Sequence, residues 1–119
     1  MAATCALVVD DERDLRENIA ELLEMEGYAV RKARNGKEAL EVAASEHPGI
    51  VLLDLMMPIM SGWEVVTAMR LDDELRRIPV IVISAHPAPP EGVTVISKPF
   101  QVEHLLQAVR DAVEEPRRA

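Results

Sequence analysis

Apolar residues follow two alternating patterns along the 119-residue chain. Short continuous apolar runs are typical of strands that are buried on both faces of a parallel sheet. Between these runs, apolar residues recur at every third or fourth position, which is the spacing of one helix face. The runs predict strands over residues 5–9, 28–30, 50–53, 79–83 and 93–96.

Four of the intervening stretches have the helical spacing. Apart from Val102, the residues that bound them are polar, glycine or proline, which commonly begin or end helices. The bounding residues are Asp14 and Gly27 for the first helix, Gly36 and His47 for the second, Gly62 and Asp72 for the third, and Val102 and Pro116 for the last.

The connection between the fourth and fifth predicted strands differs from the others. Residues 86–92 include Pro87, Pro89 and Pro90. Proline lacks the amide hydrogen that a helix needs and disfavours helical conformation in the residue before it. The sequence therefore predicts a proline-rich loop here.

The order of elements predicts an α/β fold in which a parallel sheet is covered by helices on both faces. The common strand order of a doubly wound five-stranded sheet is 2-1-3-4-5. That order places Asp10, Asp11 and Asp54 side by side at the carboxyl ends of two neighbouring strands. Ser84 and Lys98 follow the next two strands at the same edge.

Composition predicts one domain over residues 1–119 with an aliphatic core, because 49% of residues are hydrophobic and only 3% are aromatic. The net charge of -8 argues against a nucleic-acid or anionic-membrane partner. A single cysteine, Cys5, excludes a disulfide within the chain. Without a signal-peptide pattern or an apolar run of roughly 20 residues, we expect a cytoplasmic protein.

Three neighbouring carboxylates need compensation. At about 5 Å and an effective dielectric near 20, each ionised pair repels by roughly 3 kcal/mol. An oxygen-only ligand set favours a hard divalent ion, Mg²⁺ or Mn²⁺. Lys98 adds a cation suited to phosphate, and Ser84 adds a hydroxyl donor. A carboxylate nucleophile, Asp54, with these groups has the equipment for forming an aspartyl-phosphate.

Four motifs carry a resemblance to the receiver domain of two-component response regulators, which has a flavodoxin-like fold. The resemblance implies that Asp54 accepts a phosphoryl group from a phosphohistidine on a sensor histidine kinase or histidine phosphotransfer protein, and that the domain then signals to a downstream protein. The motifs are Val8-Val9-Asp10-Asp11-Glu12, Leu53-Asp54-Leu55-Met56-Met57-Pro58 with Gly62, Ser84-Ala85, and Lys98-Pro99-Phe100.

The same resemblance implies roles for the individual residues. Asp11, Asp54 and the backbone carbonyl of Met56 would bind Mg²⁺ directly, and Asp10 would act through water. Lys98 and Ser84 would contact the phosphoryl group, which small Ala85 leaves accessible. The Lys98–Pro99 peptide bond would be cis, an isomer that is common only before proline.

The sequence departs from the family at the proline-rich loop, which replaces the helix that receivers usually have between strands 4 and 5. It departs also at Val95, where the family normally has Tyr or Phe. We hypothesise that Ser84 moves toward phosphate and signals through residues 86–92. The family's tuning positions for dephosphorylation are Met56 and His86 here, and apolar Met56 predicts a long-lived phosphoryl group.

Three functions remain in competition. The first is a stand-alone phosphoacceptor with no room for an output domain beyond residue 113, which is not an enzyme although it assists its own phosphorylation and dephosphorylation. The second is a pseudo-receiver that binds partners without phosphorylation. The third is a small phosphohydrolase of the haloacid-dehalogenase type, although Met56 stands where that class has a second aspartate.

Some of these residues also have purely structural interpretations. Asp10 and Asp11 would suit the start of a helix. Met56, Met57 and Met60 are expected to pack in the core rather than form a binding surface. Trp63, at the start of the third helix, is assigned no role.

Overall fold

A computed structural model describes residues 4–114 of the chain. It contains five strands and four helices, with one short 3₁₀ helix at Leu75–Arg77. The strands are β1 Cys5–Val9, β2 Ala29–Ala33, β3 Ile50–Leu53, β4 Val80–Ser84 and β5 Thr94–Ser97. The helices are α1 Arg13–Met25, α2 Gly36–Glu46, α3 Gly62–Arg70 and α4 Val102–Glu114.

The strands form one parallel sheet in the order β2-β1-β3-β4-β5, so the predicted fold class and strand order are confirmed. The first and third strands have the predicted limits. The fourth and fifth end on Ser84 and Ser97, and each begins one residue later than its predicted apolar run.

The second strand extends beyond the predicted residues 28–30, to Ala33. Its charged residues, Arg31 and Lys32, are exposed on opposite faces of β2, an edge strand that pairs with β1 alone. Arg31 Nε lies 2.7 Å from a Glu46 carboxylate oxygen, and Lys32 Nζ lies 3.0 Å from one of Glu17. These charges hid the second half of the strand from an apolar pattern.

Two apolar clusters occupy the two faces of the sheet. One packs alternate strand residues such as Leu52 and Ile81 against α1 and α4. The other packs the alternating set, including Val51 and Leu53, against α2 and α3. Because both faces of β3 are covered, its four residues are all buried, as its continuous apolar run predicts.

Local sequence signals set two helix starts. The Asn35 side chain accepts a hydrogen bond from the backbone of Glu38 and begins α2. Ser61 and Glu64 form a reciprocal capping box that begins α3. These caps fix the residues at which α2 and α3 begin. α3 starts directly after the loop that follows β3.

The proline-rich segment 85–93 contains bends and turns but no helix, as its sequence predicts. A fourth helix is present, but it follows β5 and is the last helix of the described residues. Its predicted end at Pro116 lies outside the described residues. Within residues 4–114, no helix has the length and apolarity that crossing a membrane requires.

Candidate functional site

The site lies where β1 and β3 end next to each other. Val9 pairs with Leu53 at the last step of the ladder, so Asp10 and Asp54 leave the sheet side by side. The Asp54 amide donates to the Val9 carbonyl at 3.0 Å, and the Asp10 amide donates to the Ala33 carbonyl at 3.2 Å. Sheet register therefore brings together two carboxylates that are 44 positions apart in sequence.

Three carboxylates converge at this edge, as the sequence predicts. One oxygen from each of Asp10, Asp11 and Asp54 lies within 4.8 Å of the others. Asp10 and Asp54 are buried, and Asp11 is exposed. Two of the three carboxylates are thus buried, and the third lies on the side that is exposed to solvent.

Lys98 reaches the same cluster from the end of β5. Its Nζ atom lies 3.5 Å from Oδ1 of Asp54 and 3.6 Å from Oδ2 of Asp10. The Lys98 amide donates to the Ser84 carbonyl, and the Lys98–Pro99 peptide bond is cis. The ammonium group bridges the two buried carboxylates and partly offsets their repulsion.

Burial raises the pKa of Asp54 above its ordinary value, and the negative charge of Asp10 raises it further. The Lys98 charge and hydrogen bonds from the backbone amides of Met56 and Leu55 oppose that rise. A second nearby cation would favour the ionised form, which is the nucleophilic form of a carboxylate.

Ser84, at the end of β4, is buried and takes part in a chain of contacts that leads away from the site. Its hydroxyl oxygen accepts a hydrogen bond from the His86 amide at 3.0 Å. The His86 ring meets the Trp63 ring edge-on at 4.7 Å, and Trp63 Nε1 donates to the Ala88 carbonyl. Ser84 thus stands at the same edge of the sheet, and the hydrogen bond that its hydroxyl oxygen accepts links it to the loop.

This arrangement gives Trp63 a contact that the sequence did not predict. It anchors the proline-rich segment 85–93 to α3, and Arg70 of α3 adds a hydrogen bond to the carbonyl of Glu91. The contact spans 25 positions and matches no local motif. The one indication in the sequence was the predicted lack of a helix in this segment, which leaves side-chain contacts to hold the segment in place.

Arg16 is a second residue that the sequence reasoning missed. It is buried, and its guanidinium donates to the carbonyl oxygen of Asp10 at 2.9 Å. The signal was present, because Arg16 lies three, four and seven positions before Ile19, Ala20 and Leu23, on the buried face of α1. A charged residue on an apolar helix face usually has a specific partner.

The backbone at Gly62 packs closely against the backbone of Asp54. A side-chain carbon at Gly62 would lie 2.4 Å from the carbonyl oxygen of Asp54, so only glycine fits. Met57 and Met60 pack against the core, as expected. The same expectation is wrong for Met56, which is 61% exposed because the loop turns its side chain outward.

The remaining predicted residues surround this edge or lie further from it. Ala85 is exposed directly after Ser84, and Val95 is partly buried within β5. The proposed roles of Ala85, His86 and Val95, and of the Met56 carbonyl as a ligand, stay predictions.

Comparison with known proteins places this geometry in a family. Residues 6–110 match the family described as "Response regulator receiver domain". The response regulator MprA of Mycolicibacterium vanbaalenii is 38% identical over 112 residues, which cover 87% of this chain and 48% of that protein. The chain therefore spans about half the length of the curated relatives that it matches.

Solved structures share the architecture. Chemotaxis protein CheY4 of Vibrio cholerae has a TM-score of 0.85 at 29% identity, and the match covers 93% of this chain and 99% of that one. The receiver domain of sensor histidine kinase PA1611 from Pseudomonas aeruginosa has a TM-score of 0.88 at 22% identity, over 96% and 100% of the two chains. That structure is described as having a magnesium ion coordinated in its active site cleft.

Proposed function

We propose, from the premise that the chain belongs to the response regulator receiver domain family, that Asp54 accepts a phosphoryl group from a phosphohistidine. One observation carries the proposal. The Asp54 carboxylate, buried at the end of β3, lies within 4.8 Å of two further carboxylates and 3.5 Å from a lysine ammonium. Burying an aspartate next to two further carboxylates is costly, and such an arrangement is typical of a functional site.

The donor set fits a divalent metal ion. Ligand oxygens around Mg²⁺ lie about 3 to about 4 Å apart, so oxygens within 4.8 Å of one another need only a small closure to share one ion. Asp11 and Asp54 would hold the ion directly, with the carbonyl of Met56, and Asp10 through water. When bound, Mg²⁺ or Mn²⁺ supplies positive charge that offsets the carboxylates and the phosphoryl oxygens.

In the transfer step, an oxygen of Asp54 forms a bond to phosphorus while the bond from phosphorus to the donor's imidazole nitrogen breaks. The nitrogen keeps the electron pair of that bond. Lys98, 3.5 Å from the attacking carboxylate, is in position to contact the incoming phosphoryl oxygens. Ser84 donates its hydroxyl hydrogen to a phosphoryl oxygen, after its side chain rotates away from the His86 amide that donates to it in this structure.

We assign the chain a signalling role rather than the turnover of a separate substrate. The donor is a sensor histidine kinase or a histidine phosphotransfer protein, and the recipient of the signal is a downstream protein. A cytoplasmic location belongs to this proposal.

The experiment is incubation with acetyl phosphate or phosphoimidazole, with and without Mg²⁺, followed by intact-protein mass spectrometry. We expect a magnesium-dependent gain of one phosphoryl group in the wild type and none in Asp54→Ala. Asp73→Ala is the matched control, because the Asp73 side chain is 93% exposed and lies outside the cluster.

The alternatives predict different results. A pseudo-receiver would gain no mass under any of these conditions. A phosphohydrolase would release phosphate continuously from generic phosphate esters such as p-nitrophenyl phosphate. Loss of the gain in Asp73→Ala as well as in Asp54→Ala would contradict the assignment of Asp54.

A further inference from the structure

The His86 ring lies at the centre of the contacts that hold the proline-rich segment 85–93 in place. Its Nδ1 atom accepts a hydrogen bond from the Ala88 amide at 3.0 Å. The Ala88 carbonyl in turn accepts a hydrogen bond from Trp63 Nε1, also at 3.0 Å. Ala88 is thus held twice, through its amide by His86 and through its carbonyl by a side chain of α3.

The direction of the bond to Nδ1 fixes the charge of the ring. A ring nitrogen that accepts a hydrogen bond carries no proton, so His86 is neutral, with its proton on Nε2. A proton added to Nδ1 would make two donors face each other, the ring N–H and the Ala88 amide. The hydrogen bond between them would therefore be lost.

The contact between the two rings responds differently. The His86 and Trp63 rings meet edge-on with their centroids 4.7 Å apart. A cation is attracted to the face of an indole, so this contact does not oppose a charge on His86. Protonation therefore acts on the bond to Ala88 and leaves the ring pair in place.

The charged side chains on the elements around His86 are engaged elsewhere or exposed. On α3, Glu64 belongs to the capping box that begins the helix, and Arg70 donates to the carbonyl of Glu91. Glu91 itself is exposed, and Lys98 after β5 pairs with the two buried carboxylates of the site. Within residues 4–114, none of these side chains forms an ion pair with His86, so no carboxylate would hold the charged ring against the segment.

We propose that His86 makes the proline-rich segment 85–93 respond to pH, because a proton added to its ring releases Ala88, and with it the segment, from α3. Histidine side chains ordinarily change charge at about pH 6.5. The segment is held above that range and released below it. The His86 amide also donates to the Ser84 hydroxyl, so the change reaches the edge of the sheet where the carboxylates meet. The proposal does not depend on phosphorylation of Asp54.

The experiment is a titration of the ¹⁵N-labelled chain from about pH 7.5 to about pH 5.5, followed by NMR. The indole N–H signal is unambiguous, because Trp63 is the only tryptophan. We expect the Ala88 amide and the Trp63 indole protons to move upfield as their hydrogen bonds are lost, with the same midpoint as the His86 ring signals. The ratio of released to held segment should rise at least about fivefold over this range.

Three histidine variants test the assignment. His86→Asn keeps an acceptor close to the position of Nδ1 but cannot titrate, so its Ala88 amide should stay hydrogen-bonded at both pH values. His47→Asn and His104→Asn replace the other two histidines, which lie outside the segment, and should titrate as the wild type does. Thermal unfolding shows that each variant is folded before it is compared.

Three outcomes would overturn the proposal. The first is titration of the His86 ring while the Ala88 amide and the Trp63 indole stay unchanged. The second is a pH response at Ala88 that persists in His86→Asn. The third is loss of the response in Asp54→Asn, which would assign it to the carboxylate whose pKa is raised by burial.

Discussion

At the residue scale, the fold makes Asp54, the proposed nucleophile, costly to ionise. Its pKa is raised because the carboxylate is buried and faces Asp10. A carboxylate whose pKa is higher in the folded than in the unfolded state binds its proton more readily when folded. Stability is therefore lost as the pH rises from the unfolded value, about 3.9, through the folded value, and the full loss remains at neutral pH.

The first prediction follows from that sign. Without metal at pH 7, Asp54→Asn should increase the free energy of unfolding by on the order of 1 kcal/mol, after the attraction of Lys98 is set against the repulsion of Asp10. The gain should vanish near pH 3. Urea denaturation at both pH values checks it, with Asp73→Asn as the control. A destabilised Asp54→Asn protein at pH 7 would contradict the argument.

Arg16 acts on the acidic segment through the backbone. Its side chain fixes the carbonyl of Asp10, and thereby the turn that presents Asp10 and Asp11. A buried hydrogen bond from a charged donor contributes roughly 2 kcal/mol. Residues that orient metal ligands from behind commonly affect metal affinity about tenfold or more.

The second prediction is that Arg16→Ala lowers the free energy of unfolding by about 2 kcal/mol and weakens Mg²⁺ binding about tenfold. Arg16→Lys should recover part of both. Arg13→Ala, at an exposed position of the same helix, is the control. Metal titration followed by calorimetry gives the affinity, and an unchanged affinity in a destabilised Arg16→Ala protein would restrict Arg16 to a structural role.

The third prediction concerns the effect of Met56 on the lifetime of the phosphoryl group. Its thioether is a poor hydrogen-bonding group and cannot orient a water molecule for attack. Met56→Asn should shorten the phosphoryl lifetime about tenfold, because an amide both donates and accepts. Ile59→Asn, at a 77% exposed position of the same loop, is the control. Decay of the phosphorylated mass after removal of the donor measures the lifetime, and equal decay in wild type and Met56→Asn would refute the prediction.

At the element scale, the proline-rich segment 85–93 is the connection that differs from the rest of the fold. It carries no helix, yet contacts from Ser84, Trp63 and Arg70 hold it against α3. Rotation of the Ser84 side chain toward a phosphoryl group would move its oxygen away from the His86 amide that donates to it. The segment is therefore placed to respond to phosphorylation.

The fourth prediction uses Trp63, the only tryptophan of the chain, as the reporter. Phosphorylation should change its fluorescence in the wild type, because His86 contacts its ring. Ser84→Ala should lose most of that change, whereas Ser97→Ala, at the exposed end of β5, should keep it. A wild-type protein that is fully phosphorylated by mass but unchanged in fluorescence would exclude this route.

At the scale of the whole molecule, the chain is acidic overall, and part of its negative charge is concentrated at one site. The net charge is -8, and three carboxylates meet at one edge of the sheet. A cation that binds there relieves repulsion in the folded state and has no comparable site in the unfolded chain. Ligands with that preference stabilise a fold by mass action.

The fifth prediction is that Mg²⁺ at ten times its dissociation constant increases the free energy of unfolding by about 1.4 kcal/mol. Asp54→Asn should lose most of this increase. Sodium chloride of equal ionic strength separates specific binding from general screening. An equal response to both salts would mean that no specific ion binds at the cluster.

Much of the fold was predictable because its signals are local. The apolar runs of β1 and β3 need no distant information, since any strand buried on both faces has that pattern. The same is true of the prolines that exclude a helix from residues 86–92. The carboxylates and Lys98 were predictable as site residues because each directly follows a strand, and parallel strands end at one edge.

β2 and the surroundings of the site were harder to predict. The charges of Arg31 and Lys32 conceal the second half of β2, because an edge strand can keep charged side chains exposed to solvent. The exposure of Met56 depends on how its loop turns, and apolar character alone favours burial. Arg16 was detectable by its position on a buried helix face, but its partner is a backbone carbonyl that no sequence pattern specifies.

The sequence by itself determined which segments become strands and helices and which chemical groups stand at their ends, because burial pattern, capping and chain-breaking residues act over a few positions. Only the tertiary structure decided which of those groups meet. The Val9–Leu53 register, the Arg16 contact and the Trp63–His86 pair join residues that are distant in sequence or lack a local signature. The physical reason is that packing and charge act through space, whereas sequence patterns report only on neighbours along the chain.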